Sequence, residues 1–142
     1  MILLDTNVLI YASGGDHPLK APCRAIMDGV SLSRLRACVT DSVLAEFLHA
    51  RARRTSRLHA ARLTADIIGI VDDVLSPDQQ IRTRALDLFG RTQRLSSSDA
   101  TIAATALHHD LTLVSADLDF GEVPGLRVIT PESADMQSML AT

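Results

Sequence analysis

The amino-acid sequence predicts an α/β fold in three layers, α/β/α, with a central parallel sheet of about five strands. Short apolar runs alternate along the chain with longer segments of helical periodicity, as expected for strands joined by helical crossovers. Aromatic residues make up only 3% of the chain against 46% hydrophobic residues. The core must therefore be built from Leu, Ile, Val and Ala, which suits helices packed on a buried sheet. At 142 residues the chain is expected to form a single domain with one core.

Ile2–Leu4 is an apolar run ending at Asp5 and reads as a buried first strand. Asn7 to Ala12 has the look of a short helix, stopped by Ser13-Gly14-Gly15. Pro18 opens a second helix reaching about Gly29, with Pro22 near its first turn. Ala37–Val39 is the second strand, and Thr40 or Asp41 caps a helix from about Ser42 to Arg54. Another helix follows over about Ser56 to Asp66. Ile67 to Val74 alternates loosely and is rich in Ile and Val, so it is read as the third strand. Pro77 starts a helix reaching about Arg94, and Ser96 to Ser98 caps one running from about Asp99 to His109. Leu111–Val114 and Arg127–Ile129 complete the strands, with a short helix expected from about Pro131.

The net charge of −3 excludes a uniformly basic nucleic-acid binder but leaves room for a local basic patch beside an acidic pocket. Cys23 and Cys38 form no CxxC pair and lie in apolar settings, as buried thiols of a reducing compartment do. No apolar run approaches the length of a membrane span. A strand-like run begins at once, so no leader segment is expected. The expectation is a cytoplasmic protein.

Four carboxylates are expected to meet. In an open parallel sheet, ligands bind at the carboxyl ends of the strands, where the strand order switches. Asp5 ends the first strand, and Asp117 lies just past the fourth. Asp99 opens the helix that leads into the fourth strand, so it starts at the same edge. Glu46 lies early in the helix leaving the second strand, beside Val43, Phe47 and Ala50, on the margin of an inward-facing stripe. An all-oxygen set without His or Cys suits Mg²⁺ or Mn²⁺ and not Zn²⁺. Each acid also has a plainer reading. Asp5 can cap the first helix, and Asp99 can complete a capping box with Ser96. Asp117 can be a turn acid, and Glu46 can pair with a nearby Arg.

Four segments resemble a known family. Ile2-Leu3-Leu4-Asp5-Thr6-Asn7-Val8-Leu9 is similar to the start of PIN-domain proteins, above all the VapC-type toxins of bacterial toxin–antitoxin pairs. Leu95 to Ala106, with Ser98-Asp99-Ala100, resembles that family's third acidic motif and its Ala-rich helix. Leu113-Val114-Ser115-Ala116-Asp117-Leu118-Asp119-Phe120 resembles its closing motif, with Ser115 where Thr is usual. Glu46 stands where the family carries its single Glu. The resemblance implies a Mg²⁺-dependent endoribonuclease, with Mn²⁺ as a substitute, a homodimer, and a small cognate protein antitoxin. It points to RNA phosphodiester hydrolysis by a metal-activated water, leaving a 5′-phosphate and a 3′-hydroxyl. The catalytic set would be Asp5, Glu46, Asp99 and Asp117, the metal being held by Asp5, Asp99 and Asp117. Thr6, Asn7 and Ser115 are suited to support the acids by hydrogen bonds, and Asp119 is an accessory acid.

Arg51, Arg53, Arg54 and Arg57 fall close together, with Arg62, His49 and His59 nearby. They can guide RNA phosphates or meet an acidic partner. They also read as a solvated face with favourable charge at a helix C-terminus. The scattered aromatics Tyr11, Phe47, Phe89 and Phe120 offer no obvious stacking platform. The competing reading is a catalytically inactive PIN-like binding module. A phosphotransfer domain fits less well. Asn7 stands where an aspartate-nucleophile phosphatase has its second Asp, and Lys20 is the only Lys.

Overall fold

The computed structural model describes residues 1–142. Strand β1 (Ile2–Leu4) leads into helix α1 (Thr6–Ser13), then α2 (Lys20–Ser31), β2 (Ala37–Thr40), α3 (Asp41–Arg54) and α4 (Arg57–Ile70). Strand β3 (Asp73–Leu75), α5 (Gln79–Arg91), α6 (Ser97–His108), β4 (Thr112–Val114), β5 (Val128–Ile129) and α7 (Ala134–Ala141) follow. A 3-10 segment, Leu118–Glu122, lies between β4 and β5.

The five strands form one parallel sheet in the order β3-β2-β1-β4-β5. Leu3 pairs with Cys38 of β2 on one side and Leu113 of β4 on the other. The chain order therefore switches direction at β1, between β2 and β4. Ile2, Leu3 and Leu4 are each at most 2% exposed, because helices cover both faces of the sheet. Helix α1 packs on α2 and α3, α3 on α4, and α5 pairs with α6. One apolar cluster runs through the molecule, from Leu3 and Val39 in the sheet to Ile26, Phe47, Ile81 and Ile102 in the helices. The Ala-rich segment of α6 lets that helix lie close to the sheet: Ala100, Ala103, Ala104 and Ala106 are all buried.

Local signals set most element starts. The Thr40 side chain accepts from Val43 N–H at 3.1 Å and so starts α3. Ser56, Asp78 and Ser133 cap α4, α5 and α7 in the same way. Helix α6 is stopped by Asp110, which takes a left-handed φ of 52°, a conformation that Asp tolerates. Leu111 N–H then bonds back to Ala106 O, turning the chain straight into β4.

The third strand differs from expectation. Helix α4 continues to Ile70, and only Asp73–Leu75 pairs with β2. Ala60, Thr64 and Ile67 are buried at spacings of four and three, so Ile67 belongs to a helical stripe. The strand is pinned from outside instead. The Asp72 carboxylate accepts from Ala37 N–H at 2.8 Å and from Arg36 Nε at 3.0 Å. The helix expected to open at Asp99 in fact starts at Ser97, with Ser96 as its cap. The 3-10 segment carries no strong apolar period and is absent from the sequence reading.

Thr40 is 1% exposed and holds the start of the helix that carries Glu46. Thr40→Ala should cost about 1–2 kcal/mol of stability through the lost cap. Urea denaturation checks this, and an unchanged midpoint would show that α3 needs no cap there.

Candidate active site

Asp5 follows β1 directly and caps α1, its Oδ1 accepting from Thr6 N–H at 2.8 Å. Its Oδ2 accepts from Ser115 Oγ at 2.6 Å and from Asn7 Nδ2 at 3.1 Å. Because β1 and β4 are neighbours, the residue after β1 and the residue after β4 are held side by side. Asn7 closes the joint: its Nδ2 also donates to Ser115 Oγ, and its Oδ1 accepts from Ala116 N–H at 3.2 Å.

Glu46 joins from α3. Thr6 Oγ1 donates to its Oε2 at 2.8 Å, and Ser98 Oγ to its Oε1 at 2.5 Å. These are short, charge-assisted bonds. The residue is exposed to solvent rather than set in the buried stripe of Val43 and Phe47, so hydrogen bonds, not packing, fix its carboxylate. Ser98 has no role in the sequence reading beyond capping. Its signal is a hydroxyl immediately before Asp99, on the exposed side of a helix start.

Asp99 occupies the first turn of α6, where its N–H donates to Ser96 Oγ at 3.1 Å. The cap is thus formed by Ser96, whose side chain also bears on the Asp99 carboxylate. Asp117 caps the 3-10 segment through Asp119 N–H at 2.9 Å, while its own N–H donates to Ser115 Oγ. Asp119 enters this network through its backbone. Arg51 is partly buried, whereas Arg53, Arg54 and Arg57 are exposed on the far half of α3 and the start of α4.

The electrostatics tie the four acids together. Asp5 is 5% exposed, and its carboxyl is pushed above the usual carboxylate range. Burial is the main cause, opposed by the bonds from Ser115 and Thr6 and reinforced by the charges of Glu46 and Asp117. Asp99 is pushed up to about 6, first by desolvation and then by the charge of Asp5, opposed by a hydrogen bond from Ser96 and reinforced by the charges of Asp117 and Glu46. Side chains from β1, α3, α6 and the β4 loop therefore repel one another at one edge of the sheet. In this structure no three of them converge to coordination distance. The donor set nonetheless fits a hard divalent cation. It is all oxygen, and Asp5 Oδ1 keeps one lone pair beyond its single hydrogen bond. The repulsion is of the kind that a cation relieves.

The chain matches known proteins over most of its length. The PIN domain family profile matches residues 2–126. Ribonuclease VapC7 of Mycobacterium tuberculosis is 39% identical over 142 residues, covering 99% of this chain and 98% of that protein. Among solved structures, a toxin–antitoxin complex from Klebsiella pneumoniae matches with a TM-score of 0.69 and 23% identity, over 92% of this chain and 98% of that one. Mycobacterium tuberculosis VapC20, described as a sarcin–ricin-loop-cleaving toxin, matches with a TM-score of 0.71 and 17% identity. That match covers 85% of this chain and 93% of the other. The structural likenesses show the fold.

A group whose folded pKa is raised stabilises the fold fully below its unfolded pKa, and that stability is lost as pH rises through the folded value. For Asp99 the window runs from about 4 to about 6. In EDTA, the protein should therefore melt higher at pH 5 than at pH 7. Asp99→Asn should reduce that difference and raise the pH 7 melting point. Asp99 is partly exposed, so water screens the effect to about 1 kcal/mol. Differential scanning calorimetry reads both, and a variant that melts lower than the parent at pH 7 would show that Asp99 acts only as a first-turn acid.

Proposed function

We propose that this chain, which belongs to the PIN domain family, is a divalent-metal-dependent endoribonuclease and the toxin of a toxin–antitoxin pair. The observation that carries the reading is that Asp5, Glu46, Asp99 and Asp117 lie near enough at one sheet edge for their charges to push up the carboxyls of Asp5 and Asp99, while Thr6 and Ser98 hold Glu46 and Asn7 and Ser115 hold Asp5. Supporting it is a relative described as a ribonuclease that is similar over nearly the whole chain.

In this reading Asp5, Asp99 and Asp117 hold the cation, Mg²⁺ or Mn²⁺. When bound, such an ion lowers the pKa of a water and stabilises charge on a phosphate. Thr6 and Ser98 each occupy one lone pair of the Glu46 carboxylate. The remaining lone pairs are free to accept from a water and aim it at phosphorus. Ser115 and Asn7 keep Asp5 in one rotamer, so the acid does not reorganise when substrate enters. Hydrolysis leaves a 5′-phosphate and a 3′-hydroxyl.

A protein antitoxin and a homodimer belong to the same reading, and a solved relative of this fold is described as a toxin–antitoxin complex. Leu58, Leu86, Phe89 and Leu118 are exposed apolar side chains available to such contacts. No helix is long and apolar enough to cross a membrane. A cytoplasmic setting is part of the same proposal.

Single-stranded or loop RNA should be cut in Mg²⁺ or Mn²⁺, cutting should stop in EDTA, and Zn²⁺ should not restore it. Undiminished cleavage in EDTA would sink the metal assignment. Absence of cleavage with either ion would favour an inactive binding module. Asp99→Asn should lower kcat/KM by more than about a hundredfold, since a neutral amide is a poor ligand for a hard cation. Ser98→Ala should cost about 10–100-fold by freeing Glu46. A Ser98→Ala protein with parental kinetics would remove Ser98 from the site.

A further inference from the structure

Of the four neighbouring arginines, two line a single cleft. Arg51 and Arg54 face a space of about 360 Å³ together with Tyr11, Gly14, Asp16 and His17. Arg57 instead lines the apolar groove between α3 and α4, with Leu48 and Leu58. Arg51 Nε is buried and has no hydrogen-bond partner. Neither Arg51 nor Arg54 takes part in any of the ion pairs of the chain. The guanidinium charges of Arg51 and Arg54 are thus balanced by no carboxylate of the chain, and an anion in the cleft is their natural complement.

The rest of the cleft is built to match. Tyr11 and His17 stack face to face, ring centroids 3.9 Å apart and planes within 8°. His17 Nδ1 accepts from Leu19 N–H at 3.0 Å. In the neutral ring the proton therefore sits on Nε2, which is left to donate. A Cβ at Gly14 would lie 2.9 Å from Ile10 O and 3.7 Å from Arg51 Nη1, so only glycine lets the backbone turn this tightly beside the guanidinium. Asp16 is the one acid in the lining, and it pairs with neither arginine. Two arginines against one aspartate leave the cleft cationic.

Its position relates it to the acids. Helices α1 and α3 both begin at the acidic edge, with Thr6 and Asn7 on one and Glu46 on the other. Both pass on to the cleft. Tyr11 is one helical turn beyond Asn7. Arg51 and Arg54 lie about 8 Å and about 12 Å beyond Glu46 along the α3 axis. An RNA strand approaching four carboxylates needs cations next to them to hold its backbone. Forked Arg donors suit phosphate oxygens.

We propose that the cleft formed by Arg51, Arg54, His17 and Gly14 is a subsite for a backbone phosphate of the RNA strand, flanking the position of cleavage. This rests on the ribonuclease reading. The occupant is a phosphodiester within a strand, whose charge the guanidiniums of Arg51 and Arg54 balance.

The test is fluorescence anisotropy of a labelled single-stranded RNA oligonucleotide in EDTA, over a range of salt concentrations. Arg51→Gln and Arg54→Gln should each weaken binding about threefold to tenfold and reduce the salt slope by about 0.7. Arg53→Gln should bind as the parent does. Arg54 is exposed, so its variant keeps the test open if Arg51→Gln unfolds. In parallel, the ¹⁵Nε signal of Arg51 in the unmodified protein should move on addition of the RNA. Movement with inorganic phosphate but not with RNA would overturn the subsite. A parent protein that binds no RNA in EDTA yet cuts it in Mg²⁺ would overturn the subsite alone, and one that neither binds nor cuts would overturn the ribonuclease reading and this subsite together. Binding by the parent with unchanged affinity in both the Arg51 and Arg54 variants would overturn the subsite alone.

Discussion

Asp5 sits at the seam between β1 and β4, 5% exposed, where water can no longer stabilise its charge. Ser115, Thr6 and Asn7 supply the hydrogen bonds that replace part of that hydration. Those donors come from the ends of two strands that are adjacent in space and more than a hundred residues apart in sequence. Every other feature of the site hangs on this joint. The β1–β4 pairing brings Asp5 beside Ser115, Ser115 receives Asp117 N–H, and Thr6 reaches across to Glu46. A sheet with any other neighbour for β1 would separate these groups.

The acids are kept in place by roles that also stabilise the fold. Asp5 and Asp117 each accept from the backbone at the start of a helical turn, where the unsatisfied N–H groups favour negative charge. Asp99 lies in the first turn of α6, with the capping done by Ser96. The capping reading and the functional reading of these residues are therefore not rivals. Backbone donors offset part of the desolvation and repulsion that a cluster of carboxylates imposes, so the site can exist in the folded chain without unfolding it.

Charge is sorted along two helices. The net charge of −3 averages over an acidic edge at the starts of α1 and α3 and a cationic cleft farther along both. Alternation of this kind suits a polyanion that must be gripped beside a centre that repels it. It also explains why overall composition says so little about what the surface binds.

The sequence by itself determined the sheet and the helices that cover it, because apolar periodicity and caps such as Thr40, Ser96 and Asp78 are local signals. It also marked Asp5, Glu46, Asp99 and Asp117 as candidates, since Asp5 and Asp117 follow strands, Asp99 lies at a helix start and Glu46 lies in the early part of the helix leaving β2, all at the edge where parallel sheets bind ligands. It misread Ile67–Val74, because a short Ile- and Val-rich run satisfies the strand period and the helix stripe alike, and only packing of Ala60, Thr64 and Ile67 on the core decides between them. Tertiary structure alone decided that Ser98 holds Glu46 across a gap of 52 residues. It decided too that Tyr11 and His17 stack, and that Arg51 Nε is buried without gaining a partner. Periodicity reports which face of an element is buried. It carries no information about which polar atoms from distant segments meet there, and those meetings set the desolvation and the charge of the site.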